Sequence, residues 1–188
     1  MRGRFYVLSG PAGVGKGTVL KKVFEKLDNI VYSVSCTTRL PRPRETDGVH
    51  YVFMDEPSFE KMVEEDKFLE WACVHGHFYG TRKDIAEKAL EEGKDVLLEI
   101  DVQGASQIKE KMPDAVMIFI QPPSFEELVR RLKKRGTEGP EELELRIRNA
   151  KTEMSYANEY EYMIINDKVE KAADDFIEIV KKYREGSI

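Results

Sequence analysis

Residues 5 to 18 read Phe-Tyr-Val-Leu-Ser-Gly-Pro-Ala-Gly-Val-Gly-Lys-Gly-Thr, and they constrain this chain more than any other stretch. Phe5 to Leu8 is a short apolar run, long enough for a buried strand. Gly10, Gly13, Gly15 and Gly17 follow, and Thr18-Val-Leu-Lys-Lys-Val-Phe then opens a helical pattern. Strand, glycine loop and helix in that order make a cradle for phosphate. Several backbone N–H groups can converge on an anion only where no Cβ blocks the approach. The helix N-terminus adds free N–H groups and partial positive charge. Lys16 adds a full charge.

The spacing Gly10-x4-Gly15-Lys16 fits the P-loop pattern with one departure. That pattern places Ser or Thr directly after the lysine to reach Mg²⁺. Here Gly17 takes the place and Thr18 comes next, so a direct metal bond from a loop hydroxyl is in doubt. The plain alternative is a glycine turn before a surface helix, with Lys16 solvated.

At 188 residues one domain with a sizeable core is expected, with room for inserted lobes. A formal net charge of −5 argues against a general nucleic-acid binder, so any anion site must be local. Cys36 and Cys73 stand far apart, and the three histidines show no metal spacing. A reducing, cytoplasmic location is the expectation. The N-terminus runs straight into the first strand, so no signal peptide is expected, and no apolar run is long enough to span a membrane.

Along the chain, a helix is expected to continue to Leu27, and Ile30 to Cys36 reads as one strand. Thr37 to Gly48 holds two prolines and three arginines within six residues, a loop that in isolation would be a solvated basic turn. A short strand at 50–54, a helix at 58–66 and a strand at 68–74 follow. His75 to Gly80 reads as turn-rich, and a helix over 83–92 ends at Gly93. Asp95 to Ile100 and Ala115 to Ile120 are near-continuous apolar runs, the mark of buried parallel strands. Helices follow at 101–111, 124–135 and 141–158, the second capped by Ser124. A strand at 162–165 and a helix at 168–184 end the pattern. Such alternation means a parallel sheet covered on both faces, and ligands bind such sheets at the carboxyl ends of strands. The glycine loop, Asp101 and the arginine loop all follow strands.

A second batch of arginines, Arg130, Arg131, Arg135, Arg146 and Arg148, flanks the loop from Gly136 to Pro140. Phosphoryl transfer spreads charge over equatorial oxygens, and arginines that close over phosphates neutralise it and exclude water. The competing reading is a solvated helix face paired with Glu126, Glu127, Glu142 and Glu144, which suits Arg130 and Arg148 best.

With these motifs in view, the chain resembles the guanylate kinase family of P-loop nucleoside monophosphate kinases along its whole length. The carriers are Ser9-Gly-Pro-Ala-Gly-Val-Gly-Lys16, Ser33-Val-Ser-Cys-Thr-Thr-Arg39-x-Pro-Arg42, Gly48-x-x-Tyr51, Phe68-Leu-Glu70-Trp71, Tyr79-Gly80-Thr81, Ile100-Asp101-Val-Gln-Gly104, Arg135-Gly-Thr-Glu138 and Ile165-Asn166-Asp167. The resemblance implies an α/β fold with a P-loop NTPase-type parallel core and helices on both faces, over residues 1–36, 93–123 and 156–188. It also implies a small mixed α/β GMP-binding lobe near 37–92 and a helical lid near 124–155.

The implied reaction converts ATP and GMP to ADP and GDP, with Mg²⁺ carried by ATP and no nucleic-acid or membrane partner. The resemblance assigns GMP contacts to Ser35, Arg39, Arg42, Glu45, Tyr51, Glu70, Tyr79, Thr81, Glu99 and Asp101. It assigns ATP contacts to Gly10, Pro11, Ala12, Gly13, Val14, Gly15, Lys16, Gly17, Thr18, Arg131, Arg135 and Asn166, and catalytic roles to Lys16, Arg39, Arg135 and Arg146. Glu99 stands where many members carry Asp, which leaves open whether Glu99 or Asp101 meets GMP or orders the water around Mg²⁺; Thr18 or Asp101 would touch the metal through water. Two alternatives stay in view: a guanylate-kinase-like module that binds proteins without catalysis, and a P-loop kinase for another phosphorylated acceptor. The complete Gly10, Gly13, Gly15 and Lys16 set speaks against the first, and the Glu70, Tyr79 and Thr81 set against the second.

Overall fold

A computed structural model describes residues 2–135 and 139–186, with the backbone alone at Arg135. The strands are β1 (Phe5–Ser9), β2 (Ile30–Tyr32), β3 (Cys36–Thr37), β4 (Val52–Phe53), β5 (Phe68–Val74), β6 (His77–Arg82), β7 (Asp95–Glu99), β8 (Val116–Gln121) and β9 (Tyr162–Ile165). The helices are α1 (Lys16–Phe24), α2 (Glu56–Glu64), α3 (Lys83–Glu91), α4 (Val102–Lys111), α5 (Phe125–Arg135), α6 (Pro140–Ser155) and α7 (Val169–Arg184), with a 3-10 turn at Tyr156–Glu159. Hydrogen bonding orders one sheet as β2-β7-β1-β8-β9 and a smaller one as β4-β3-β6-β5. The β2–β7 and β8–β9 pairings are parallel, as alternating strands and helices require.

Two compact units emerge, one of Met1–Val7 with Asn29–Val116 and one of Leu8–Asp28 with Met117–Ile188. In the first unit, Val96, Leu97 and Leu98 on β7 are buried with Ala86 and Leu90 on α3 and Ile108 on α4. A second cluster there joins Cys36, Phe59 and Phe68, where the rings of Phe59 and Phe68 stack at 4.6 Å between centroids. In the second unit, Val19, Leu20 and Val23 on α1 are buried together with Ala172, Ala173, Phe176 and Val180 on α7.

Three local expectations are corrected. The run from Ile30 to Cys36 is two short strands rather than one, because pairing with β7 ends at Tyr32, with the Ser33 N–H on Leu97 O, and Cys36 joins the small sheet beside Gly80. The turn expected at His75–Gly80 is confined to His75 and Gly76, both at positive φ, and His77 to Arg82 forms β6, antiparallel to β5. The first helix stops at Phe24, with Leu27 still buried beyond it. Ser124 caps α5 as expected, its Oγ accepting from the Glu127 N–H at 3.2 Å. Residues 136–138, part of the arginine-flanked loop, lie outside the described residues.

Candidate functional site

The second unit carries the glycine loop. Gly15 is the N-cap of α1 in the left-handed region (φ 97°), where an L side chain would be strained. A Cβ there would also lie 2.8 Å from Asn166 Nδ2. The first-turn N–H groups of α1 have no acceptor within the helix, so they are free in principle for an anion. No acidic residue stands in that first turn to compete for them.

Around the loop the structure gathers groups distant in sequence. Lys16 Nζ donates to the carbonyl oxygens of Gly10 (2.7 Å) and Pro11 (3.4 Å). Asn166, buried, donates its side-chain amide to Val14 O at 2.8 Å. Arg131 donates to the same oxygen at 3.2 Å and to Asn166 O at 3.0 Å, while its Nε meets Glu127 at 2.8 Å. Arg131 and Asn166, both expected at ATP, thus hold the outer carbonyl of the loop. Glu127 accepts from Arg130 and Arg131, and those hydrogen bonds bring its carboxyl down to about 2. Arg130 pairs on the surface as expected, and Arg148 is exposed.

On α6, Arg146 is buried and donates to Glu142 at 3.0 Å. Glu153, on the same helix, accepts the backbone N–H of Ala12 at 3.1 Å. Sequence reasoning passed over Glu153. Its partner lies 141 residues away and no local spacing signals the contact. The side chain of Arg135 lies outside the described residues.

The first unit carries the residues expected at GMP. Glu70 on β5 is buried (3% exposed) and accepts from Thr81 Oγ1 on β6 at 2.6 Å. Burial pushes the Glu70 carboxyl up to about 7; the Thr81 hydrogen bond opposes this and the nearby Asp101 charge adds to it. Asp101 caps α4, accepting from the N–H groups of Gly104 (3.1 Å) and Gln103 (3.2 Å). Glu99 accepts from Tyr32 Oη at 3.3 Å, a partner that sequence reading missed.

In the arginine loop, Arg39 and Glu45 form a two-pronged pair at 3.0 and 2.9 Å, and Glu45 also accepts from the Arg42 N–H at 2.7 Å. Glu45 therefore shapes this loop as the counter-ion of Arg39. The Arg39 guanidinium stands 5.3 Å from the Tyr51 ring centre, and Tyr51 meets Tyr79 edge-on at 5.9 Å. Burial pushes the Tyr51 hydroxyl up to about 12, so it stays a donor at neutral pH. Ser35 is buried beside these groups in sequence, with its carbonyl accepting the Val52 N–H. Trp71 is partly exposed and packs edge-on against Phe59 and Phe78, as a packing residue would.

In this unit Arg39, its fork on Glu45, stands with Tyr51 and Tyr79, and Glu70 holds a buried carboxylate. The other offers backbone N–H groups and an ammonium for a polyphosphate. The family model for guanylate kinase matches residues 2–183. A guanylate kinase of Caldanaerobacter subterraneus is 51% identical over 95% of this chain and 87% of its own length. One of Thermus thermophilus is 50% identical over 100% of this chain and 84% of its own. The crystal structure of guanylate kinase from Anaplasma phagocytophilum superimposes with a TM-score of 0.82 at 37% identity, covering 97% of this chain and 86% of that one. By sequence and by fold, the chain belongs to the guanylate kinase family.

Proposed function

We propose that the chain transfers the γ-phosphoryl group of ATP to GMP, giving ADP and GDP. A phosphate oxygen of GMP attacks the γ-phosphorus, and the bond from that phosphorus to the β,γ-bridging oxygen breaks. The observation that carries the acceptor assignment is the buried Glu70 carboxylate with its Thr81 hydrogen bond. Guanine N1–H and its 2-amino group are two adjacent donors, which a carboxylate can accept together; adenine lacks both. Arg39 and Arg42, with Tyr51 and Tyr79, take the GMP phosphate, and Glu45 orients Arg39 for that task. Ser35 and Glu99 complete the acceptor side.

Residues Gly10 to Thr18 hold the ATP phosphates, and Lys16 leaves its loop carbonyls for the phosphoryl oxygens. Arg135 and Arg146 balance charge in the transition state, and the stretch near 124–155 serves as the lid. Mg²⁺ carried by ATP would supply charge neutralisation at the phosphates, with Thr18 or Asp101 reaching it through water. Among the described residues no group of three or more His, Cys, Asp or Glu side chains could hold a metal ion. Within the loop unit, the exposed Thr18 hydroxyl is an oxygen donor. Such a donor set fits an ion held chiefly by phosphates and water. No described helix is long and apolar enough to cross a membrane. The two unpaired cysteines, Cys36 and Cys73, support a cytoplasmic location.

The test is a coupled assay with ATP and each of GMP, AMP, CMP and UMP. Turnover of GMP far above the others is expected; equal turnover of two bases removes the assignment of Glu70.

A further inference from the structure

Helix α6 carries two charged side chains whose positions relate to each other. Arg146 and Ala150 are its buried residues, and Glu153 continues the same stripe at i, i+4 and i+7. Seven residues make almost two full turns, so Arg146 and Glu153 share one face. At one end of that face Arg146 pairs with Glu142 at 3.0 Å. At the other, Glu153 accepts the Ala12 N–H at 3.1 Å, inside the glycine loop. An ionised acceptor on a backbone amide is among the stronger hydrogen bonds available to a loop.

The loop is also held by Asn166 and Arg131 on Val14 O and by Lys16 on Gly10 O. Those contacts grip its carbonyls and belong to groups near its own helix and to α5. Among the described residues, the hydrogen bond from the Ala12 N–H to Glu153 ties the loop to α6.

We propose that Glu153 is a positioning residue for phosphoryl transfer: its carboxylate straps α6 to the Ala12 amide and so sets where Arg146 stands relative to the phosphate-binding loop. The proposal rests on reading that loop as the donor-phosphate cradle and Arg146 as an arginine of the transition state. A rigid helix carries the constraint over the seven residues between them. Transfer depends steeply on such placement, since a displacement of about 1 Å can cost on the order of 10²-fold in rate.

An alternative role for the carboxylate is to mimic a phosphate and keep ATP out. In that case its removal tightens ATP binding. In the strap its removal leaves ATP binding nearly unchanged and slows the chemical step.

Steady-state kinetics on the full chain should compare the parent, Glu153→Ala, Glu153→Gln, Arg146→Ala and the Glu153→Ala/Arg146→Ala double variant. Glu153→Ala is expected to lower kcat by about 10- to 100-fold with KM for ATP within about threefold. Glu153→Gln keeps an oxygen acceptor for the amide and should recover most of the loss. In the Arg146→Ala background, Glu153→Ala should cost less than about threefold, because two residues acting as one device are not additive. An unchanged kcat, a loss confined to KM, tighter ATP binding or fully additive losses would each overturn the proposal. The strap is also read without turnover. Hydrogen exchange at the Ala12 amide should be at least about tenfold faster in nucleotide-free Glu153→Ala than in the parent at equal melting temperature. Equal exchange overturns the strap whatever the enzyme phosphorylates, whereas a parent that makes no GDP but shows a protected Ala12 refutes the kinase reading alone.

Discussion

Glu70 occupies the space that a side chain at Gly104 would need. A Cβ built on Gly104 falls within contact of Glu70 Oε2 and 2.9 Å from its carboxyl carbon, so the carboxylate lies directly over the first turn of α4. A residue with a Cβ at 104 must displace it. The α4 residues Gln103, Gln107 and Lys111, spaced by four, donate to the carbonyl oxygens of Cys73, Trp71 and Leu69 and hold β5 against this helix. The strand therefore cannot simply move away.

Gly104→Ala is accordingly expected to raise KM for GMP by on the order of 10²-fold, by misplacing the buried carboxylate. KM for ATP should stay within about threefold, since loop residues 10–18 are untouched. Helix propensity favours the change by up to about 1 kcal/mol, so the melting temperature should not collapse. Steady-state kinetics beside a thermal melt checks this, and an unchanged KM for GMP refutes the close approach.

The raised pKa of Glu70 has two measurable consequences. Guanine donors bind the ionised carboxylate, so GMP affinity should fall below about pH 7, by up to about tenfold per pH unit. Isothermal titration between pH 5.5 and 8.5 reads it, and a flat profile contradicts the assignment. Stability runs the other way. With a folded value of about 7 above the ordinary value of 4.5, the folded state binds the extra proton between them. The contribution is fully present below pH 4.5 and is lost as pH rises through 7. Glu70→Gln should therefore be more stable than the parent at pH 8, by up to about 3 kcal/mol, with the gap closing toward pH 4.5. A parent more stable than the variant at pH 8 would show that the carboxylate finds compensation in the folded state.

The glycine loop, the buried strands and most helices were legible because each depends on local pattern: Phe5 to Leu8, Asp95 to Ile100 and the cap at Ser124 are all visible within a few residues. His77 to Arg82 was not, because His-Phe-Tyr-Gly looks like a turn until the packing is known. Gly80 sits in that strand because Phe68 and Phe59 fill its side-chain space, at 2.9 and 3.1 Å from where a Cβ would be. Tertiary packing overrode a local turn signal. The site shows the same division. Motifs pointed to Lys16, Arg39 and Glu70, whereas Tyr32 behind Glu99 and Glu153 on Ala12 are long-range partners that no spacing announces. Arg131 and Asn166 were found by motif, yet their hydrogen bonds to the loop's carbonyl side emerge only in three dimensions.

Lys16→Ala should abolish transfer while leaving the fold intact. Its ammonium is bonded to Gly10 O and Pro11 O, contacts within its own loop that a small side chain can forgo. One charge aimed at the migrating phosphoryl is worth on the order of 10²-fold or more in rate. Activity within a few-fold of the parent, at an unchanged circular dichroism spectrum, would refute the role.

The choice of base gives the sharpest test of Glu70. AMP offers neither N1–H nor a 2-amino group, and it would leave the buried carboxylate without a donor from the base. A site built around such a pair can reject the analogue lacking it by roughly 10⁴-fold. IMP keeps N1–H and O6 but lacks the 2-amino group, so it should fall between GMP and AMP. In Glu70→Gln one oxygen remains as acceptor, while the second position becomes an NH₂ that opposes the guanine amino group donor to donor. IMP meets no such conflict. Thr81 Oγ1 can still donate to the remaining oxygen, as it does to Glu70 Oε1 at 2.6 Å, so the amide has a reason to orient with its NH₂ toward the base. Glu70→Gln should therefore lose kcat/KM for GMP far more than for IMP, narrowing the ratio between them by at least about tenfold. Parallel measurement of both substrates on parent and variant decides it: an unchanged ratio means that Glu70 does not read the 2-amino group.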